Sequence, residues 1–407
     1  MEYTTTDKLI IIANVVKKLV ENSFRTGPGP DTCRAALYLE KGVLRAIREV
    51  APETVFEKPE GWKLKKLPPE WILTPAFLDC HVHVALDGIN GFNNFTGPPS
   101  ASTIRKRLRQ AVKAGIFALR DGGDFYNTGI LAARLKKEPS GNIFYPEIIP
   151  TGQAIFRKGY YGSKLGVGIM DTGGIDSLLQ QLADNGAKQV KLILSGLVSL
   201  KTPWKVGPLQ FSFPELKTIV QKSREFGLPV MVHVNGAKNV HLAIKAGVHT
   251  VEHGYYVKRE TLQLMADNNV AWVPTVAPLA AMLEGQNNHA EIGTAQKNVI
   301  RQAVEHQLMM IKAAQELGVT LGLGTDTGAP GVGWGNGFQQ EFKHYLKAGL
   351  SPQTVLQIAT INNAHLLGLS HKMGKIERGK KPCWICLHKD ILQGKLERSK
   401  ITEIVRF

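Results

Sequence analysis

The chain has 407 residues, of which 43% are hydrophobic and 21% charged, with a formal net charge of +16. That length holds one large domain and a smaller one. No stretch comes near the roughly 20 continuous apolar residues of a membrane-spanning helix, and 4 cysteines do not make a disulfide framework for a chain this long.

Residues 1–71 carry short β-like runs broken by Gly and Pro. The run 9–16 is apolar but is followed by Lys17 and Lys18, not by a small-residue cleavage site. It predicts a strand rather than a secretory leader, and the expected location is the cytoplasm. From residue 72 the pattern changes. Apolar runs at 72–78, 116–119, 147–151, 189–194, 229–234, 249–252, 270–276 and 319–324 alternate with amphipathic stretches. The helical stretches are 103–114, 175–185, 214–226, 238–246, 260–268 and 295–317. Gly115, Gly186, Gly227, Gly247 and Gly318 close five of them, at the position where a left-handed residue ends a helix.

Eight strands alternating with helices predict an α/β fold, a (β/α)8 TIM barrel over residues 72–371. A doubly wound open sheet alternates similarly, but no G-x-G-x-x-G follows the first strand. Residues 372–407 return to β-like runs, and the two chain ends, 1–71 and 372–407, are expected to join as one small β-rich domain. Cys383 and Cys386 form a lone C-x-x-C there. It lies in a strand-like run without a second pair or suitably spaced histidines, so it reads as two strand cysteines.

The basic excess lies in short clusters at 63–66, 105–109 and 378–381. None is interleaved with aromatics and no nucleic-acid motif is present, so surface charge is the first reading and an acidic substrate the second. The expected partner is a small-molecule substrate, not nucleic acid or membrane, and a homo-oligomer stays open.

His81 and His83 end the first apolar run two residues apart, so on a strand both imidazoles point to one face and can reach one metal ion. With 12 histidines in the chain, an H-x-H arises by chance in roughly a third of such sequences. The position carries it: barrel active sites lie where strands emerge at their C-terminal ends. Lys191 lies inside the run 189–194. It either snorkels to water or, facing the interior, has reacted with carbon dioxide to give a carbamate that can bridge two ions. His233 and His253 end two successive strands and stand at equivalent positions, whereas His241 and His249 do not. Asp326 follows the eighth run in Gly324-Thr325-Asp326-Thr327-Gly328. It is either a turn residue or a metal ligand that exchanges a proton with attacking water.

This constellation resembles the amidohydrolase superfamily. Carrying the resemblance are His81-Val82-His83 after strand one, Lys191 on strand four, His233 after strand five, His253 after strand six and Asp326 after strand eight. The stretches Thr74-Pro75-Ala76-Phe77-Leu78-Asp79-Cys80-His81, Val251-Glu252-His253-Gly254 and Gly374-Lys375-Ile376-Glu377-Arg378-Gly379-Lys380 are similar as well. The H-x-x-E of the mononuclear deaminases is missing, because Val234, Asn235 and Gly236 follow His233. The pattern looks closest to the branch of prolidase-like dipeptidases and of carboxypeptidases acting on acylated amino acids. Two departures stand out. Gly159-Tyr160-Tyr161-Gly162 replaces a Gly-Gly-His-Gly-like segment, and Pro382-Cys383-Trp384-Ile385-Cys386 replaces an Ala-Asp-Leu segment.

The resemblance implies two divalent metal ions, with zinc the expected metal, about 3.5–4 Å apart. His81, His83 and Asp326 would hold one and His233 and His253 the other, with carbamylated Lys191 between them. It implies hydrolysis of an amide bond of a dipeptide or N-acyl amino acid by a metal-bridging hydroxide, with Asp326 as the catalytic proton carrier. Tyr160, Tyr161, Asn235 and Tyr255 are candidates for binding substrate. Arg120 and Arg157 either pair with a substrate carboxylate or form structural salt bridges. A cyclic amide, lactone or phosphotriester would suit the same site, and a silent binding or scaffold protein is the reading from another class.

Overall fold

The computed structural model describes residues 8–21, 31–51, 55–89, 95, 97–136, 144–284, 292–395 and 403–406. In chain order the strands are β1 (Lys8–Val16), β2 (Thr32–Glu40), β3 (Val43–Glu49), β4 (Lys63–Lys66), β5 (Trp71–Pro75), β6 (Phe77–Val82), β7 (Ile116–Asp121) and β8 (Glu147–Ile149). They continue as β9 (Ala154–Arg157), β10 (Gly166–Ile169), β11 (Val190–Ile193), β12 (Val230–Val234), β13 (Thr250–His253), β14 (Ala271–Val273), β15 (Cys383–His388) and β16 (Glu403–Arg406). The chain forms two compact units. One takes the described parts of Met1–Leu78, Lys113–Phe117 and Leu350–Phe407, the other those of Asp79–Val112 and Ala118–Gly349.

The first unit holds a mixed sheet in the order β16-β15-β5-β1-β2-β3, with β4 also paired to β1. Residues from both chain ends therefore share one sheet, β15 running antiparallel to β5 with Trp384 opposite Pro75. Successive side chains of a strand point to opposite faces, and both faces of β1 are covered. Leu9, Ile11, Ala13 and Val15 pack with Leu37, Leu73 and Trp384, while Ile10 and Ile12 pack with Ala36, Phe56 and Trp62. Cys383 and Cys386 are three apart on β15, so they point to opposite faces and cannot share an ion.

The second unit is built on parallel strands in two sheets, β6-β7-β8 and β10-β9-β11-β12-β13-β14, with helices between them. Ile175, Leu179 and Leu182 form the buried stripe of the helix Ile175–Asn185, and Gly186 ends it in the left-handed conformation. Ser212 and Glu215 form a capping box on the helix Phe213–Glu225, satisfying backbone donors that the first turn leaves open.

Two expected strands differ. The run 72–78 is not one strand: Trp71–Pro75 joins the mixed sheet, and Phe77–Val82 lies beside β7. Proline has no N–H to extend a ladder, and the run is apolar on both sides of the break, so hydropathy hides it. The run 319–324 is extended but joins no sheet as a full strand. It nonetheless hydrogen-bonds on both sides. Trp272 N–H donates to Thr320 O and Gly322 N–H to Trp272 O on one side, and Cys80 N–H to Leu323 O and Asp326 N–H to His81 O on the other. No helix among the described residues is long and apolar enough to cross a membrane.

Candidate metal centre

The four histidines stand at or just beyond the C-terminal ends of parallel strands, and Lys191 lies within one. His81 is the fifth residue of β6 and His83 follows its end; Lys191 lies on β11, His233 on β12 and His253 closes β13. Asp326 follows the extended 319–324 segment. Ligand atoms of His81, His83 and Asp326 all lie within 4.8 Å of one another. Asp326 Oδ1 is 3.3 Å from His83 Nε2 and 3.7 Å from His81 Nε2. Lys191 Nζ is 3.3 Å from His81 Nε2. His233 and His253 lie outside the group of three but beside it, with ring centroids 4.5 Å apart and His253 5.1 Å from His81.

The Nδ1 atoms are already committed. His81 Nδ1 meets Glu252 Oε2 at 2.6 Å, His83 Nδ1 meets Gly123 O at 3.0 Å, and His253 Nδ1 meets Thr275 Oγ1 at 2.6 Å. His233 hydrogen-bonds the backbone of Gly196. An imidazole whose Nδ1–H donates outward presents a lone pair at Nε2, the arrangement that orients a metal-ligating histidine. His233 Nε2 and Asp326 Oδ1 are buried and take no hydrogen bond. Buried polar atoms are otherwise nearly always paired. Two unpaired buried atoms of this kind, beside histidine Nε2 lone pairs, fit a cation.

The electrostatics agree. Burial, with the Lys191 charge next in weight, pushes His83 and His233 down to about 3. His81 falls well below 6.5 through burial and Lys191, and His253 through burial and the neighbouring His233 and His81. All four are neutral near pH 7, as ligands must be. Lys191 is pushed down to about 8 by burial, against the pull of Glu252 and Asp326. Asp326 is pushed up to about 6 by burial, against Lys191.

Strain gathers in the same place. His253 (φ 66°), Asp326 (φ 56°) and Thr275 (φ 48°) are non-glycine residues in the left-handed region. Such residues cost about 1–3 kcal/mol each and persist where the surroundings over-determine them, commonly at functional sites.

The other candidates are placed as follows. Tyr161 lies with its ring 5.5 Å from His233 and is about one-third exposed, whereas Tyr160 is exposed. Asn235 is buried; its Nδ2 reaches toward Gly196 O (3.4 Å) and its Oδ1 accepts the Tyr255 N–H (3.0 Å). Tyr255 is buried with its hydroxyl 3.4 Å from Thr275 O. Arg120 and Arg157 are both in structural pairs, Arg120 Nη2 with Glu252 at 2.7 Å and Arg157 Nη2 with Glu215 at 2.5 Å. His249 precedes β13, at the opposite end from His253.

Several residues escaped sequence reasoning. Glu252 holds both His81 and Arg120. Asp79 accepts from the Thr325 N–H and hydroxyl, fixing the turn that carries Asp326. A Cβ on Gly122 would lie 2.7 Å from His83 Cε1 and 3.2 Å from His81 Nε2, so only glycine fits there. The period-two pattern placed Glu252 opposite in face to its neighbour His253, but no rule tied it to a histidine 171 residues away.

Residues 72–405 match the amidohydrolase family. Ochratoxinase of Aspergillus niger is 25% identical over 357 residues, covering 79% of this chain and 71% of that protein. An uncharacterised protein of Mycobacterium tuberculosis is 23% identical, covering 74% and 73%. Among solved structures, a Xaa-Pro dipeptidase with methionine bound in its active site superposes with a TM-score of 0.79 at 20% identity, over 98% of each chain. Aspergillus niger ochratoxinase does so with a TM-score of 0.76 at 21% identity, over 98% of this chain and 94% of that one. At these identities the superpositions speak for the fold. The sequence match takes in all six ligand-type side chains, and the chain accordingly belongs to the amidohydrolase family, enzymes acting on carbon–nitrogen bonds.

Proposed function

We propose that this protein is a binuclear metallohydrolase that cleaves the amide bond of a small substrate such as a dipeptide or N-acyl amino acid. The observation that carries the reading is the convergence of four imidazoles, with their Nδ1 atoms engaged elsewhere, and the Asp326 carboxylate around buried Lys191. His81, His83 and Asp326 would hold one divalent cation and His233 and His253 a second, with zinc the expected metal. In the fold that goes with it, the expected (β/α)8 barrel of residues 72–371 gives up 72–75 to the small β domain of the two chain ends, because β5 pairs in the mixed sheet. The hydrogen bonds of 319–324 to both neighbouring strands support closure.

Lys191 as an ammonium cannot ligate. With burial pushing it down to about 8, a useful fraction is neutral near pH 7. The neutral nitrogen would add to carbon dioxide with loss of a proton, and the resulting carbamate anion would give Lys191 the negative oxygens that a pair of cations needs. When bound, the cations supply Lewis acidity toward a carbonyl and lower the pKa of water toward about 7. Asp326, at about 6, is matched to take a proton near neutral pH and pass it to the leaving nitrogen. Tyr161, whose ring lies 5.5 Å from that of His233, would donate to the substrate. Tyr160 lies on the same loop, and Asn235 and Tyr255 hold the loops after β12 and β13. The dipeptidase and ochratoxinase among the similar proteins support an amide-type substrate.

The test is a panel of dipeptides and N-acyl amino acids set against cyclic amides, lactones and phosphotriesters, run on protein with its metal counted. The expected result is close to two ions per chain, a carbon dioxide mass increment on Lys191, and turnover of the linear amides. One ion per chain with full activity in Lys191→Ala refutes the bridge. Turnover confined to lactones or phosphotriesters refutes the substrate class, and no hydrolysis across the panel would favour a silent binding protein.

A further inference from the structure

The loop after β11 rises as a hairpin, bridged at Ser195–Leu209 and Val198–Val206. Its base is tied to the metal centre. Gly196 hydrogen-bonds His233 through its backbone, and a Cβ on Gly196 would lie 2.8 Å from the Gly207 Cα, so the two arms touch backbone to backbone. Near its tip stands Trp204, which is 57% exposed.

Trp204 is held in place at a cost. Its φ is 61°, and Tyr256, against which it packs, has φ 65°. A non-glycine residue pays roughly 1–2 kcal/mol in that region. A turn that only had to turn would use Gly or Asn. Instead the Trp204 backbone hydrogen-bonds the Tyr256 hydroxyl, the two rings sit 4.9 Å apart, and His306 meets the indole edge-on at 4.9 Å. The result is a fixed aromatic surface that the fold itself leaves uncovered.

That surface faces an open cavity of about 770 Å³ lined by Trp204, Val206 and Tyr256, with Lys238, Lys258 and Glu260 among its other lining residues. Two ammonium groups against one carboxylate make it cationic. Gly236 and Tyr256, both in its wall, stand three residues after His233 and His253, so their Cα atoms are within roughly 11 Å of those ligands.

We propose that this cavity is a subsite for an aromatic, carboxylate-bearing end of the substrate, with the Trp204 indole stacking on the ring and Lys238 and Lys258 facing the carboxylate. This rests on the reading of the metal centre as an amide hydrolase. Area supplied by a pre-fixed indole costs little side-chain entropy on binding, and stacked aromatic pairs contribute beyond their buried area.

The test measures equilibrium binding and hydrolysis of N-acetylphenylalanine, N-acetylalanine and N-acetylphenylalanine amide by the full-length enzyme. The variants are Trp204→Gly and the pair Lys238→Ala/Lys258→Ala. Glycine adopts the left-handed backbone freely, so Trp204→Gly removes the indole and not the fold. The expected result is tighter binding of the phenylalanine acid than of the alanine acid by wild type. The ratio of the two should fall about tenfold in Trp204→Gly, from the lost stacking. In the lysine pair, the preference for acid over amide should collapse. An unchanged ratio in Trp204→Gly, or no aromatic preference in wild type, overturns the subsite. Trp204-dependent aromatic binding without hydrolysis of any compound supports the subsite and sinks the hydrolase reading instead, so the two failures are separable.

Discussion

Replacing Glu252 with Gln separates the holding of His81 from the simple packing of a buried carboxylate. Glu252 is fully buried. One oxygen meets His81 Nδ1 at 2.6 Å; the other takes Arg120 Nη2 at 2.7 Å and the Thr250 hydroxyl at 2.5 Å. Arg120 also donates to Thr250 Oγ1 at 2.9 Å and to the Cys80 carbonyl. A Gln has one acceptor oxygen where Glu has two, so either His81 or Arg120 loses its acceptor. Two effects follow. Arg120 becomes a buried charge without its counter-ion, and breaking such a pair costs about 3–5 kcal/mol. His81 loses the carboxylate that fixes its tautomer and basicity, and loss of such a partner weakens metal binding by about 10–100-fold. Urea unfolding of the metal-free protein reads the first effect and chelator competition reads the second. Arg120→Met/Glu252→Gln then removes both charges, and should recover much of the stability while metal affinity stays low. If Glu252→Gln holds metal as tightly as wild type while losing stability, Glu252 is a packing residue and the positioning argument is wrong.

Three more predictions follow from the same geometry. Gly122→Ala should lower metal content at least tenfold with little change in the far-ultraviolet spectrum, because its Cβ would press on the His81 and His83 rings; full metal content would show that the rings can move aside. Chelation should lower the unfolding free energy by about 2.7 kcal/mol for each filled site relative to protein in free metal at 100 times that site's Kd, and a melting temperature indifferent to metal would contradict a metal centre. The last concerns pH. Lys191 is depressed from 10.5 to about 8 when folded, so between those values the unfolded chain binds more protons and stability rises with pH. In chelated, carbon dioxide-free protein, the stability of wild type relative to Lys191→Met should therefore improve by about 3 kcal/mol as pH climbs through that window. A flat difference would mean Lys191 is not desolvated.

The ligand-type residues were readable because their placement follows short-range rules. Period two puts His81 and His83 on one face, and alternating strands and helices bring strand ends to one side. His81, His83 and Asp326 were named that way, and the fold brings their ligand atoms within 4.8 Å of one another. The break at Ala76 was not readable. Both halves of 72–78 are buried, and hydropathy reports burial without saying in which sheet. Asn235 and Tyr255 could be placed on the right loops. Their side chains, however, turn inward to Gly196, Thr275 and each other.

The amino-acid sequence alone determined the family, the strand–helix alternation over most of residues 175–273 and the candidate donor atoms, since each depends on residue types and spacings along the chain. Only the tertiary structure decided which atoms face one another. It paired Glu252 with His81 and Arg120, left His233 Nε2 and Asp326 Oδ1 without donors, and set an exposed Trp204 beside two lysines. Those pairings join residues far apart in the chain, and their existence follows from packing and from the cost of leaving a buried polar group unpaired, which no local pattern encodes.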